Sequence, residues 1–187
     1  METERVSFTQ MIDGTAEDFQ LIRENDLETS KDLADRIIKH LALLKEDDGA
    51  YHISRLDHCL QTATRAERDG ASEEWIVAAL LHDIGDVLAP FSHAEVSYEI
   101  LRPFVSAEVG WVVKHHGIFQ MKYNKSLSEE KRNLRDQYLD HPYYLAALRF
   151  VEKWDQSSFD PDYDTFPLNH FRPMVEGIFA RKPYASN

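Results

Sequence analysis

The chain reads as helix almost throughout, and that constrains its fold more than any other feature. Leu33, Ile37, Leu41 and Leu44 recur at helical spacing behind a candidate cap at Thr29 or Ser30. Asp47-Asp48-Gly49 breaks this pattern. Ser54 with Asp57 forms a capping-box signature that predicts a helix through Leu56, Leu60 and Ala63 to Arg68, stopped by Gly70. Ser72 with Glu73 and Glu74 opens the next helix, through Trp75, Ile76, Ala79 and Leu80 to Gly85. Ser92 with Glu95 opens another, with Val96, Ile100 and Leu101 on one face. Ser106 to His116 follows, stopped by Gly117. Lys122–Arg135 is polar and is expected to be a loop plus an exposed helix. Pro142 fits the first turn of a helix reaching Trp154 and Asp155. Asp160–Asn169 is expected to be irregular, and Pro173 to begin a short closing helix through Val175, Ile178 and Phe179. No stretch alternates as a strand does, so the fold class is all-α, a helical bundle.

At 187 residues, with seven glycines, seven prolines and no low-complexity linker, the chain fits a single domain. The expected arrangement is a set of N-terminal helices (about 1–47) packing on a core of about 48–181. Apolar runs fall short of a membrane span, and Met1–Gln10 lacks the apolar stretch of a signal peptide. The lone cysteine, Cys59, precludes an internal disulfide, so the cytoplasm is the expected compartment. With a net charge of −12 and no basic cluster, nucleic acid and membrane are not expected partners. An anionic small molecule remains compatible, because a buried metal pair dominates the local field. The oligomeric state is not encoded in any pattern we find.

The chemistry lies in His58, His82-Asp83, His93, His115-His116 and Asp155, all on or near expected helix ends among apolar neighbours. Leu80-Leu81-His82-Asp83 is the sharpest case: a buried helix should not end on an imidazole and a carboxylate without partners, and metal coordination supplies them. Adjacent residues of a regular helix point about 100° apart. His82 and Asp83 can converge on a metal only where the helix frays, and the two oxygens of Asp83 could then bridge two ions. Imidazole with carboxylate suits iron, zinc or manganese better than calcium. His40, His52, His141 and His170 read instead as hydrogen-bonded or capping residues.

The order His58, His82-Asp83, Asp155 on separate helices resembles the HD superfamily, and His93 and His116 resemble the extra histidines of its dinuclear members. Arg55-Leu56-Asp57-His58-Cys59-Leu60-Gln61-Thr62-Ala63 is similar to the first ligand helix of the HD-domain phosphonate oxygenases, relatives of myo-inositol oxygenase. Ala78-Ala79-Leu80-Leu81-His82-Asp83-Ile84-Gly85 is similar to their second motif. Lys153-Trp154-Asp155, with Asp160-Pro161, Pro167 and His170-Phe171-Arg172-Pro173, resembles their C-terminal segment. The resemblance implies an all-α HD-domain bundle holding two Fe ions as an Fe(II)/Fe(III) pair. His58, His82, Asp83 and Asp155 would hold the first, and His93 and His116 the second, with Asp83 the bridging catalytic carboxylate. His116 continues the apolar face of Val109, Val112 and Val113 and keeps the family's spacing from His93. His115 stays open as a further ligand or as support for one. The implied reaction uses O2 to cleave a small hydroxylated substrate, phosphonate-like or otherwise anionic. The alternative is a metal-dependent phosphohydrolase acting on a nucleotide or phosphomonoester with Mn, Co, Ni or Zn.

Several positions depart from the oxygenase pattern. Asp86 stands where those enzymes carry a histidine, Gln120 where they carry a phosphonate-binding lysine, and Glu152 where an anion contact is expected. Their glycine-rich loop is missing from Tyr123–Tyr138, while Asp48 and Tyr51 stand where they carry tyrosine and glutamate. Arg55, Lys114, Lys122 and Arg149 are the candidate substrate contacts.

Overall fold

The computed structural model describes residues 4–184, and among them every regular element is helical. Helix α1 spans Ala16–Ser30 and starts at a capping box in which Thr15 and Asp18 exchange hydrogen bonds. Asp18 also accepts from the backbone N–H and hydroxyl of Ser7, tying the preceding segment to the helix. Helix α2 spans Leu33–Ala42 and continues as a 3-10 turn through Glu46. Its start differs from the expected cap: Thr29 and Ser30 end α1, and Asp32 precedes α2 without a side-chain capping bond. Ile37, Ile38, Leu41 and Leu44 line its buried face. Truncating the fully enclosed Leu41 to alanine should cost about 2–5 kcal/mol, as lost transfer energy plus a cavity.

Helix α3, Arg55–Arg68, has the Ser54–Asp57 capping box and ends before Gly70, whose φ of 72° permits the left-handed stop. Helix α4, Glu73–Leu81, is buried at every position from Ile76 to Leu81. A helix that is apolar all round must lie at the centre, and α4 packs against α3, α6 and α9. It ends at Leu81 rather than continuing to Gly85. Helix α5, His93–Leu101, follows Ser92, whose side chain makes no capping bond, so the expected Ser92–Glu95 box does not form. Helix α6, Ala107–Gln120, passes straight through Gly117. That glycine has no positive φ, so nothing turns the chain there.

The polar segment holds the short helix α7, Glu129–Arg132, and a 3-10 turn, Leu134–Tyr138, which packs on α6. Helix α8, Tyr144–Arg149, runs without a break into a π-helical segment, Phe150–Asp155, where the N–H of Gln156 bonds the carbonyl of Val151 five residues back. Helix α9, Leu168–Phe179, begins before Pro173 and contains it, so Pro173 interrupts the closing helix rather than starting it. One contiguous apolar core runs from Ile37 to Phe179. No helix among the described residues is long and apolar enough to cross a membrane.

Candidate metal centre

Five elements deliver side chains to one buried point. Helix α3 supplies His58 from its first turn, and α6 supplies His116. The π-helical segment ends on Asp155, and α5 begins with His93. Just past α4, the N–H of Ile84 bonds Leu81 O and that of Asp86 bonds Asp83 O. These tight turns replace the regular helix and let His82 and Asp83 face the same point. Gly85 lets α5 approach: a Cβ there would lie 2.7 Å from the carbonyl oxygen of His93 and 2.9 Å from its Cα.

Backbone carbonyls set three imidazoles. Nδ1 of His58 donates to Ser158 O at 2.8 Å, that of His82 to Ala79 O at 2.7 Å, and that of His116 to Val113 O at 2.6 Å. Such bonds leave each Nε2 with its lone pair facing inward. Nδ1 of His93 lies 3.0 Å from Asp86 Oδ1. The inward groups are all acceptors, yet they crowd together. Nε2 of His58 lies 3.1 Å from Nε2 of His82 and 3.3 Å from Asp155 Oδ1. Asp83 Oδ2 lies 3.6 Å from His58 Nε2 and 3.4 Å from His82 Nε2. Its other oxygen, Oδ1, is 3.2 Å from Nε2 of both His93 and His116.

Asp155 Oδ1 accepts from Gln120 Nε2 at 3.0 Å, while its buried Oδ2 has no hydrogen-bond partner among the described residues. Facing lone pairs at these distances repel unless a proton or a cation lies between them, so this donor set fits metal ions. Three overlapping groups could hold an ion: His58, His82 and Asp155; His82, Asp83 and His116; and Asp83, Asp86 and His93.

The electrostatics agree. For Asp83, burial is the largest single influence and would raise its pKa. The imidazoles of His82, His116 and His58 outweigh it and hold the carboxyl well below its usual range. Burial likewise opposes charge on His58 and His116, but Asp155 and Asp83 raise the first and Asp83 raises the second. For His93, burial is overcome by Asp86 and Asp83, which raise it to about 9. His82, fully enclosed, is lowered by burial. A potential that draws protons onto imidazoles is one that favours a cation.

Other sequence candidates lie elsewhere. The ring of His115 stacks on Trp111 at 4.2 Å, and its Nδ1 bonds Trp111 O, so it joins an aromatic cluster with Tyr138. Lys114 lies over the Tyr98 ring, Lys122 bonds Asn133, and Arg149 pairs with Asp69. Arg55 stands beside the centre, paired with Asp47 and Asp86. His141 stacks on Trp111 and His170 pairs with Glu67. Sequence reasoning treated Asp86 and Gln120 only as departures. Here they hold His93 and Asp155 in place, a role visible only once the fold brings them together.

A family model for the HD domain matches residues 55–148. The chain belongs to the HD-domain superfamily. The HD-domain protein is also similar to a [1-hydroxy-2-(trimethylamino)ethyl]phosphonate dioxygenase (glycine-betaine-forming) from Leisingera caerulea. The two are 36% identical, over 66% of this chain and 78% of that relative. That likeness puts it in the oxygenase-like branch of the superfamily, and its histidine–aspartate cluster is suited to metal.

Proposed function

We propose that this HD-domain protein is a mixed-valent diiron oxygenase that uses O2 to cleave a small hydroxylated, anionic substrate. The division of Asp83 carries the reading: one oxygen faces His58 and His82, and the other faces His93 and His116. His58, His82 and Asp155 with Asp83 Oδ2 would hold one iron, and His93 and His116 with Asp83 Oδ1 the other. His115 takes no part. The relative's dioxygenase activity on a hydroxylated phosphonate supports O2 and a small molecule as the reactants.

When bound, such a pair polarises a substrate hydroxyl and activates O2. The chain's own residues fix the donors and shield them. The carbonyl bonds lock the imidazoles, and Gln120 orients Asp155. Phe159 stacks on His58 at 4.4 Å and Phe150 packs edge-on to His82 at 5.6 Å, which keeps water from that side. Asp83 and His93 retain partial exposure, so a substrate would approach over them. We also take residues 1–187 as one HD domain; the contiguous apolar core, which runs from Ile37 to Phe179, supports this for that part of the chain.

The test uses iron-loaded protein treated with ascorbate. It should give the electron-paramagnetic signal of a coupled Fe(II)/Fe(III) pair, perturbed by (2-hydroxyethyl)phosphonate or another small hydroxylated acid, and O2 should be consumed in proportion to substrate. A protein without that signal that releases phosphate from nucleotides under argon is a phosphohydrolase, and the oxygenase reading is then wrong.

A further inference from the structure

The four cations singled out from the sequence are already engaged, but another is held only loosely. Arg135 lies in the 3-10 turn that packs on α6. Its side chain is 13% exposed, and Nε and Nη1 are buried without a hydrogen-bond partner among the described residues. The nearest anion is Glu152, whose Oε1 lies 3.7 Å from Nη1, beyond hydrogen-bond reach. A buried guanidinium left incompletely bonded weakens the fold and calls for a reason. Its surroundings supply one. Glu152 stands three residues before Asp155 on the π-helical segment, and Tyr123 three residues after Gln120, the residue that bonds Asp155. Burial, chiefly, and the charge of Glu152 raise the Tyr123 phenol, and Arg135 opposes them.

We propose that Arg135 forms the subsite for the oxyanion of the substrate, a phosphonate or a carboxylate. Glu152 occupies the approach and yields to the incoming anion. Its side chain is 46% exposed and can turn to solvent at little cost. A guanidinium supplies five donors in one plane, and either oxyanion can accept several of them. This subsite would provide the positive charge that Gln120 and Glu152 do not. The proposal rests on the oxygenase reading for the identity of the ligand as substrate. Anion binding needs neither O2 nor electron transfer, so the two can fail separately.

The experiment is calorimetric titration of metal-loaded full-length protein with methylphosphonate and, separately, acetate. The tighter of the two names the group. Arg135→Gln should weaken that binding at least about tenfold, the scale of losing a charge-assisted hydrogen bond. Arg135→Lys should restore part of it, and Glu152→Gln should tighten it. Without ligand, Arg135→Gln should melt at or above the wild-type temperature, because it removes a buried cation whose nearest anion, Glu152, lies beyond hydrogen-bond reach. A merely structural arginine predicts the opposite. Wild-type protein that binds neither anion, or an Arg135→Gln protein that binds as wild type or melts lower, overturns the proposal. Anion binding through Arg135 in a protein without the mixed-valent signal would keep the subsite and discard the oxygenase.

Discussion

Gly85→Ala tests whether the backbone contact between the two halves of the centre matters. The added Cβ would lie 2.7 Å from His93 O, 2.9 Å from His93 Cα and 2.9 Å from Val96 Cβ, where ordinary contact begins at 3.4 Å. Relieving the first contact requires the start of α5 to retreat by about 0.7 Å, since His93 O is backbone and has no rotamer to change. Metal–ligand distances tolerate only about 0.2 Å. The His93 side should therefore lose its ion while the His58 side keeps one. Overpacking of this kind costs about 1–3 kcal/mol, and each kcal/mol lowers the Tm of a chain this size by roughly 2–4 °C. Gly117→Ala is the matched control, next to His116 in mid-helix with nothing within 4 Å of the added Cβ. It should gain about 0.5–1 kcal/mol in helix stability and keep both metals. Metal per chain by plasma mass spectrometry and thermal melts read both variants. A Gly85→Ala protein with two metals and an unchanged Tm would refute the reasoning.

Asp83→Ala should lose nearly all bound metal and His58→Ala only part, because one carboxylate faces both groups of imidazoles; equal retention in the two variants would contradict the bridge. His116→Ala should release one metal and His115→Ala none, again by mass spectrometry, and the reverse result would move the ligand to the Trp111 cluster. The Asp18 carboxyl is held at about 2, against 3.8 for an unperturbed group, chiefly by the backbone N–H groups of Ser7 and Thr15. Its folded pKa is depressed, so its stabilisation is complete above about pH 4 and is lost as pH falls through 2. Pepsin should therefore cut near Phe8 and Phe19 increasingly over that window, and Asp18→Asn should be cut readily even at pH 4. Identical profiles for the two proteins would exclude the tether.

Local chemistry made much of this fold legible. Ser54 with Asp57 announced α3 because a capping box is formed by residues three apart, and Leu80-Leu81-His82-Asp83 announced the centre because buried polar groups need partners. Helix α1 was harder to read because AEDFQLIRENDLETS has no continuous apolar face to report a period. Gly117 misled because a glycine stops a helix only when its φ is positive, as at Gly70, and sequence does not display φ. Pro173 misled because α9 tolerates a proline within it. His116 could be separated from His115 by its apolar register, and the structure turns the two rings to different neighbours. Arg135 carried no signal, since its burial depends on how a polar loop folds back over α6. The lone thiol of Cys59 is pushed well up, first by burial, so it belongs to the packing of α3 and offers no reactive site.

The π-helical segment has a consequence for how this lineage can vary in length. A wide turn fits one more residue into the same rise than an α-turn would. Trp154 reaches back to Asp69 at the end of α3, donating at 3.1 Å, while Asp155 faces His58 at that helix's beginning. Removing one residue between Val151 and Lys153 would turn this wide turn into an ordinary α-turn of the same rise, and the indole and the carboxylate would keep their marks on α3. An added residue finds no such slack and would rotate the downstream side chains by about 100°. Descendants of this sequence should therefore tolerate a one-residue gap in this stretch better than an insertion.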